Sequence, residues 1–316
     1  MIEMMELENL KIEAVYGCVP ANVVDNRELC TALVGGGKAE SIVKSTGFAY
    51  RRAIEPGKTV WWLMLPAAQK ALEGVDLSTI GGVVVVTFSA PVRFPALSIQ
   101  LQHALGLGKD VVALDLQLAC GGYPNGLMIA GQLAAATGKK ILLVDGDVQS
   151  AHVDAADVNT LAVMSDAATA TLVSTAGNGS AKFAFHTDGG GADVLRCDSD
   201  GKIRMDGFGV FRFVAGPVAE FLKGFLDGSG EMPDVFAPHQ ANMYMVRQLA
   251  KSLGLADRLL TSGERYANPG SCSVALTLAA NGGHGRALLA GFGAGLSAAA
   301  ALVDIPEDVR RGVIEV

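Results

Sequence analysis

Three polar residues lie where apolar runs give way to small, turn-forming residues. Cys120 follows VVALDLQLA and precedes Gly-Gly, His239 follows DVFAP, and Asn268 precedes Pro-Gly. A cysteine at the start of a helix meets unpaired backbone N–H groups and the positive end of the helix dipole, which favour the nucleophilic thiolate. A histidine is a hydrogen-bond donor or a general base near neutral pH. Asparagine does not titrate, so its amide donates at any pH.

Each of these residues also has an ordinary structural explanation. A free cysteine is most often a core residue, a lone histidine is more often structural, and Asn-Pro-Gly is a ready-made turn. The order Cys, His, Asn at three expected strand–helix junctions is more informative, because such junctions meet at one edge of an α/β sheet, where sites are usually built. We therefore interpret Cys120, His239 and Asn268 as one catalytic set.

Short apolar runs alternate with longer helix-like segments, which predicts helices covering mostly buried sheets. The expected strands are residues 82–88, 111–116, 140–145, 168–173, 234–237 and 286–291. The expected helices are residues 61–72, 96–105, 122–137, 214–226, 243–253, 272–281 and 294–302. A strand–turn–helix unit around Cys120 and another around Phe292 suggest an internal duplication, with unrelated α/β units as the alternative.

The composition limits the class of protein. Of the 316 residues, 50% are hydrophobic and 18% charged, and 39 are glycines, which indicates a compact α/β protein. A net charge of −7 without Lys/Arg clusters argues against nucleic acid as a partner. The sequence has neither an apolar run long enough for a membrane span nor a basic secretion-type start, so we expect a cytoplasmic protein. The cysteines form no CxxC pair and the other histidines lack metal-ligand spacing, so we expect no metal site.

The three segments resemble the signatures of the 3-oxoacyl-acyl carrier protein (ACP) synthase III family, condensing enzymes of the thiolase fold. Cys120-Gly-Gly-Tyr corresponds to the family's Cys-Ala/Ser-Gly-Phe turn, and residues 239–242 carry its His-Gln-Ala-Asn run intact. Residues 267–270 correspond to its Gly-Asn-Thr-Ser segment, and residues 292–295 to its Phe-Gly-Gly-Gly segment. The similarity covers nearly the whole chain.

This resemblance implies an α/β fold of five layers, αβαβα, built from two similar halves and usually assembled as a homodimer. We expect an N-terminal half of residues 1–174 with the cysteine and a C-terminal half of residues 175–316 with the histidine and asparagine. No permanently bound cofactor is expected. The implied substrates are acyl-CoA or acyl-ACP together with malonyl-ACP, and the implied partner is the acyl carrier protein.

The resemblance also implies a reaction, a decarboxylative condensation in fatty-acid or related secondary-metabolite synthesis. Cys120 takes up an acyl group from a thioester, and the N–H groups of Cys120 and Ala294 hold the oxyanion. His239 and Asn268 then donate hydrogen bonds to the carbonyl of a malonyl thioester and stabilise the enolate that forms as CO₂ leaves. The resulting carbanion attacks the acyl-cysteine.

Two phenylalanines complete the implied site. Phe292 corresponds to the residue that crowds the departing carboxylate, and Phe94 to a residue that reaches across the dimer to shape the acyl pocket. Two other functions remain open: an acyltransferase of the same fold that passes the acyl group to an alcohol or amine, and a subunit of a heterodimeric synthase. The complete Cys–His–Asn set favours condensation, because two neutral donors suit an enolate better than a deprotonation.

The charged rim of the family site is not retained. Ser41 and Ser45 stand where the family has the tryptophan and arginine that sandwich the adenine of coenzyme A, and Val158 stands at a later arginine. Tyr244 replaces the basic residue linked to carrier docking. Serine and valine do not replace an arginine in kind, so one alternative is that an ACP is the acyl donor. The other is that positive charge comes from residues at shifted positions, namely Lys38, Lys44, Arg51, Arg52 and Arg247.

Overall fold

The computed structural model describes residues 2–316, and two β-sheets form its centre. The first sheet has six strands in the spatial order β15 (Arg310–Glu315), β2 (Lys11–Val19), β8 (Asp166–Ser174), β7 (Lys140–Val148), β5 (Ile80–Val86) and β6 (Val112–Leu116). The second has five strands in the order β1 (Met5–Glu8), β9 (Ser180–Thr187), β14 (Ser297–Ile305), β13 (Gly285–Gly293) and β12 (Val235–Pro238). Two antiparallel pairs lie outside these sheets, namely β3 (Val23–Asp25) with β4 (Tyr50–Arg52) and β10 (Leu195–Cys197) with β11 (Ile203–Met205).

The helices form three layers around the sheets. The helices between the two sheets are α5 (Gly122–Thr137) and α11 (Ser273–Asn281). Those outside the six-stranded sheet are α3 (Trp61–Ala71) and α4 (Leu97–Ala104). Those outside the five-stranded sheet are α7 (Gly207–Phe213), α8 (Ala219–Ser229) and α9 (Met243–Ser252). The others are α1 (Asn26–Val34), α2 (Gly36–Thr46), α6 (Val158–Leu161) and α10 (Gly263–Tyr266). The layers alternate as αβαβα, which confirms the predicted fold.

Both sheets are covered on both faces, which explains their apolar runs without polar alternation. Strands β5 and β8 are buried at every residue. On β7, Ile141 and Leu143 pack in the central layer with α5 and α11, whereas Leu142 and Val144 pack against α3 and α4. Because both faces are apolar, the sequence alone does not tell which helical layer each face contacts.

Residues 294–302 form most of a strand, so the helix expected there was wrong. Strand β14 returns antiparallel beside β13 and pairs with β9 on its other side. Its run of alanines has high helix propensity, but small side chains also fit a strand that is buried between helical layers. The unit around Phe292 is therefore a β-hairpin and does not repeat the strand–turn–helix unit at Cys120. The two sheets nevertheless repeat one arrangement, β2-β8-β7-β5 and β9-β14-β13-β12, with the same parallel and antiparallel pairings, as expected for two similar halves.

The other expected elements are present, with small shifts at their ends. The segment 214–226 is divided between a π-helical stretch, Val214–Val218, and α8. Strand β1, near the start of the chain, lies at the edge of the five-stranded sheet, and β15, at its end, lies at the edge of the six-stranded sheet. These two strands tie together the proposed halves 1–174 and 175–316, and that division stays a prediction.

One carboxyl group is buried in the central layer without a partner. Asp145 on β7 is fully buried, and neither of its oxygens is hydrogen-bonded within residues 2–316. Burial, and then the neighbouring carboxyl of Asp147, raise the pKa of Asp145 well above that of a free aspartate. The folded protein therefore favours the protonated form of Asp145.

Replacing Asp145 with asparagine should remove a pH-dependent loss of stability. The unfolded chain releases this proton near pH ~4 while the folded chain retains it, so unfolding becomes easier by up to about 1.4 kcal/mol per pH unit as the pH rises toward the folded-state pKa. We expect the free energy of unfolding to fall more steeply from mildly acidic to mildly alkaline pH in the wild type than in Asp145→Asn. Urea titrations at several pH values measure this difference, with the exposed Asp227→Asn as control. Parallel curves for wild type and Asp145→Asn would contradict the prediction.

Candidate active site

The three residues singled out from the sequence line one channel. Cys120 directly precedes the first turn of α5, His239 follows β12, and Asn268 lies between α10 and α11. The channel has a volume of about 380 Å³, and all three side chains are part of its wall. Residues from distant parts of the sequence therefore meet at one site.

Two glycines of β13 allow this strand to approach Cys120 closely. Gly293 has a φ of +155°, and a Cβ atom there would lie 2.9 Å from Cβ of Cys120. A Cβ atom at Gly291 would lie 3.0 Å from backbone atoms of Gly121. Neither position has room for a side chain. The Ala290 carbonyl of the same strand accepts a 2.7 Å hydrogen bond from the His239 N–H. Strand β13 therefore contacts both the Cys120 segment and His239.

His239 is buried and held in one orientation. Its Nδ1 lies 2.6 Å from Oγ of Ser273, and its ring meets Phe292 edge-on with centroids 5.4 Å apart. Burial lowers the pKa of His239 to about 3, with the Gly270 backbone acting in the opposite direction. The imidazole is therefore neutral. When the Ser273 hydroxyl donates to Nδ1, the ring hydrogen is on Nε2, which makes the side chain a neutral donor.

Asn268 has an amide group that is fixed by its surroundings. Its Oδ1 accepts a hydrogen bond from the Gly270 N–H at 3.0 Å, which leaves Nδ2 as the free donor. Its backbone carbonyl accepts from Nε2 of Gln149 at 2.6 Å and from the Ser165 N–H at 2.9 Å. A donor fixed in this way needs no reorganisation when negative charge develops beside it.

A buried carboxylate connects the Asn268 loop to the segment that follows β5. Asp147 Oδ1 accepts hydrogen bonds from Oγ1 of Thr87 at 2.9 Å and from Oγ of Ser89 at 3.1 Å. Its Oδ2 accepts from Oγ of Ser271 at 2.8 Å. Burial raises the pKa of Asp147 to about 6, and these hydrogen bonds oppose the rise. The group therefore remains largely ionised at neutral pH and holds the loops together.

Sequence reasoning missed Asp147, Gln149 and Ser273. Asp145, Asp147 and Gln149 occupy alternate positions at the end of an apolar strand, so a strand would place them on one face. That alternation was the available signal, but it does not distinguish a polar site from the solvated end of a strand. For Ser273 the signal was weaker still, since serine is common near the start of a helix.

The Cys120 thiol does not have the favoured thiolate that we expected from its place before a helix. Burial, and then the Asp147 carboxylate, raise the pKa of Cys120 to about 12, while its own backbone N–H lowers it. The positive end of α5 does not outweigh the loss of solvent. The resting form is the thiol, and a thiolate has to arise once substrate is bound.

The two N–H groups expected to hold an oxyanion have no backbone partner among the described residues. Neither the Cys120 nor the Ala294 N–H donates a hydrogen bond to another backbone group in the part of the chain that the structure describes. Ala294 lies in the turn between β13 and β14, and its carbonyl accepts from Oγ of Ser297 at 2.7 Å. The assignment of these groups as an oxyanion hole stays a prediction that this geometry permits.

A second cavity, which we call the side cavity, also begins at Cys120 and has a volume of about 440 Å³. Ala294 and several apolar side chains form much of its wall, among them Phe88, Met164, Phe185, Leu195 and Ile203. Polar side chains and the salt-bridged Arg196 complete it. Phe94 lines neither this cavity nor the channel, and it is 85% exposed. A role for Phe94 in an acyl pocket therefore requires a second subunit and stays a prediction.

Residues 2–316 were also compared with the requirements of a metal site and of a membrane span. Within residues 2–316, no group of three or more His, Cys, Asp or Glu side chains is arranged to hold a metal ion. The helices of the same residues are all too short or too polar to cross a membrane.

The layered fold and the channel with its buried cysteine, histidine and asparagine place the chain among the thiolase-fold enzymes. Family models of 3-oxoacyl-[acyl-carrier-protein] synthase III match residues 114–202 and, for the C-terminal part, residues 230–305. Beta-ketoacyl-[acyl-carrier-protein] synthase III of Pectobacterium atrosepticum is 33% identical over 287 residues, covering 84% of this chain and 90% of that protein. The enzyme of the same name from Streptomyces lividans is 31% identical over 315 residues, covering 91% and 92%. The chain belongs to the 3-oxoacyl-ACP synthase III family.

Solved structures agree with this assignment. A 3-oxoacyl-(acyl-carrier protein) synthase from Burkholderia xenovorans superimposes with a TM-score of 0.95 at 27% identity, covering 100% of this chain and 99% of that one. The priming beta-ketosynthase from the R1128 polyketide biosynthetic pathway superimposes with a TM-score of 0.86 at 30% identity, covering 95% and 97%. The family resemblance read from the sequence is thus confirmed.

The raised pKa of Cys120 predicts an alkylation rate that keeps rising in alkaline solution. Because only the thiolate reacts, the rate with iodoacetamide should increase about tenfold per pH unit up to at least pH ~9.5. Intact-mass measurements on a Cys197→Ser background, which removes the exposed cysteine, follow the reaction. The same background with Cys120→Ala is the control and should show no such adduct. A rate that levels off below pH ~8 would instead indicate a stabilised thiolate.

Proposed function

We propose that this chain is a 3-oxoacyl synthase that condenses an acyl thioester with a malonyl thioester, most directly malonyl-ACP, and releases CO₂. The observation that carries the proposal is a pair of neutral, oriented donors, His239 and Asn268, in the same channel as Cys120. The named relatives are beta-ketoacyl-[acyl-carrier-protein] synthases, which supports the same reaction class.

In the first half-reaction, Cys120 exchanges its proton for an acyl group. A bond forms between Sγ and the thioester carbon, the bond to the donor sulfur breaks, and the proton leaves with the donor thiol. The N–H groups of Cys120 and Ala294 stabilise the oxyanion that forms in between. The acyl chain lies in the side cavity, whose apolar wall suits it.

In the second half-reaction, the channel holds the malonyl thioester. Nε2–H of His239 and Nδ2–H of Asn268 donate to its carbonyl, so that the electron pair left by departing CO₂ is stabilised as an enolate. Phe292, which is in contact with His239, gives the carboxylate an apolar neighbour and thereby favours its conversion to neutral CO₂. The carbanion attacks the acyl-cysteine, and the Cys120 thiolate leaves and regains a proton.

The acyltransferase alternative fits the site less well. Transfer to an alcohol or amine needs a general base whose pKa lies near the working pH. The pKa of His239, lowered to about 3 by burial, makes it a poor base and leaves it suited to donation. Asn268 would also have no role in that reaction. Nothing in the fold favours the third alternative, a subunit of a heterodimeric synthase.

We further propose a homodimer that works with an acyl carrier protein in the cytoplasm, in fatty-acid or related secondary-metabolite synthesis. The exposed Phe94, together with the neighbouring exposed Val92, supports the dimer, since a large apolar side chain in solvent is unfavourable unless another surface covers it. In that dimer, Phe94 of each subunit would close the side cavity of the other.

A direct test of the reaction is to incubate the protein with a panel of acyl thioesters and to chase with malonyl-ACP. We expect a mass increase on Cys120 equal to the acyl group, followed on the chase by CO₂ release and a 3-oxoacyl product. The Cys120→Ala variant is the control and should show neither. An adduct that persists until an amine or alcohol is added would favour the acyltransferase, and failure of every thioester to label Cys120 would overturn the proposal.

His239→Ala and Asn268→Ala should separate the two half-reactions. Each removes a donor to the enolate, so condensation should slow by about 10²–10³-fold while acylation of Cys120 is largely retained. Rapid-quench mass spectrometry measures acylation and ¹⁴CO₂ release measures decarboxylation, with the exposed His103→Ala as control. Because the lowered pKa keeps His239 neutral, the decarboxylation rate should show no titration near pH ~6.5. Equal losses in both steps, or a clear limb near that pH, would contradict these roles.

A further inference from the structure

The outer part of the channel has no side chain suited to a nucleotide. Helices α2, α6, α7 and α9 form this part, with Ile42, Ser45, Asn159 and Met245 in its wall. Among the described residues, no lysine or arginine lines the channel, and its one carboxylate is Asp157. Coenzyme A carries phosphates and an adenine, which proteins hold with basic side chains and with aromatic or guanidinium faces. Apart from His239 and Phe292 beside Cys120, the channel wall has neither basic nor aromatic side chains.

The five basic residues that the sequence suggested as substitutes do not line the channel. Arg51 is only 6% exposed and lies away from the channel wall. Arg52 and Arg247 are each paired with a glutamate, at 2.9 Å and 2.8 Å. Lys38 and Lys44 are exposed on α2 and do not belong to the wall. Of the five candidates considered from the sequence, none lines the route to Cys120.

Acidic side chains lie beside the channel mouth. A shallow groove that shares Asp157 and Met205 with the channel is also lined by Asp154, Asp193 and Asp206. The one basic residue of this groove, Arg204, is paired with Asp200 at 2.8 Å, so carboxylates predominate. Carboxylates concentrated in this way repel phosphate groups. The nucleotide of an acyl-CoA would therefore meet an unfavourable field at the position where it leaves the channel.

Exposed aromatic residues also lie next to the channel lining, and we call them the aromatic rim: Phe208, Phe211 and Tyr244. They are 69%, 37% and 54% exposed, and their neighbours Gly207 and Met245 line the channel. The guanidinium of Arg212 lies 5.4 Å from the centre of the Phe208 ring. Exposed aromatic side chains with an arginine are the composition of protein interfaces.

We propose that the acyl donor is a thioester of a carrier protein and that the enzyme does not use the nucleotide of coenzyme A. This inference rests on the proposed condensation. The phosphopantetheine arm, which both donors share, passes through the channel to Cys120, and the donors differ only in what lies beyond that arm. The carrier protein itself packs on the aromatic rim, whose exposed aromatic side chains and Arg212 have the composition of a protein interface.

The test compares three thioesters of one acyl group, carried on coenzyme A, on pantetheine and on ACP. The second-order rate of Cys120 acylation is measured for each by quenched intact-mass analysis. We expect the coenzyme A and pantetheine rates to agree within about threefold, because the nucleotide adds no binding energy, and the ACP rate to be at least about tenfold higher, which equals about 1.4 kcal/mol.

Variants separate the contributions of the mouth. Phe208→Ala should lower the ACP rate about tenfold, as expected for an aromatic residue central to an interface, and leave the pantetheine rate unchanged. Ser45→Arg should raise the coenzyme A rate above the pantetheine rate, because it adds a phosphate-binding side chain to the wall. Trp62→Ala, which removes an exposed aromatic residue on α3, is the matched control and should change none of the rates.

A coenzyme A rate at least about tenfold above the pantetheine rate would overturn the inference, since it would reveal nucleotide binding. An ACP rate no higher than the pantetheine rate would overturn it as well. Both outcomes would leave the condensation itself intact. If no thioester labels Cys120, the proposed function and this inference both fail, so the two failures are distinguishable.

Discussion

Asp147 accepts hydrogen bonds from segments that are far apart in the sequence. Thr87 and Ser89 follow β5, and Ser271 precedes α11, yet all three donate to the same carboxylate. A carboxylate in a dry interior is tolerated only while donors match its charge, so these loops must keep their positions as long as Asp147 is ionised. Asn268 lies just before Ser271, and the Cys120 pKa responds to the Asp147 charge. This buried group thus holds the Asn268 loop in place and also influences the charge state of the nucleophile.

Exclusion of water determines the protonation of the whole site. It lowers the pKa of His239 and raises that of Cys120, so that both side chains are neutral in the free protein. The same low dielectric strengthens any hydrogen bond from His239 or Asn268 to a developing negative charge. A site of this kind is poor at removing protons and good at stabilising an enolate. The buried thiol, in turn, becomes reactive only when a thioester is bound whose leaving sulfur can accept the thiol proton.

Much of the fold and the three central residues could be predicted from the sequence, for physical reasons that also explain the failures. Residues 122–137 read as a helix because small and apolar residues follow a glycine turn, and the helix has those bounds. Residues 294–302 were wrongly predicted as a helix because alanine favours helices locally. Pairing with β9 and β13 makes most of this segment a strand. Asp147 and Gln149 were missed because their partners come from other loops. The thiolate character of Cys120 was overestimated because its burial, which raises the pKa, follows from the three-dimensional fold and not from the local sequence.

Two cavities that meet at Cys120 impose an order on the proposed reaction. The channel is the route by which His239 and Asn268 meet a substrate carbonyl, whereas the side cavity leaves Cys120 in a different direction. An acyl group transferred to Cys120 and turned into the side cavity vacates the channel, and the second thioester then uses the donors that the first no longer occupies. If the acyl chain stayed in the channel, it would block the malonyl group from the carbon that it has to attack. The separation of the cavities is therefore what allows one channel to serve both half-reactions.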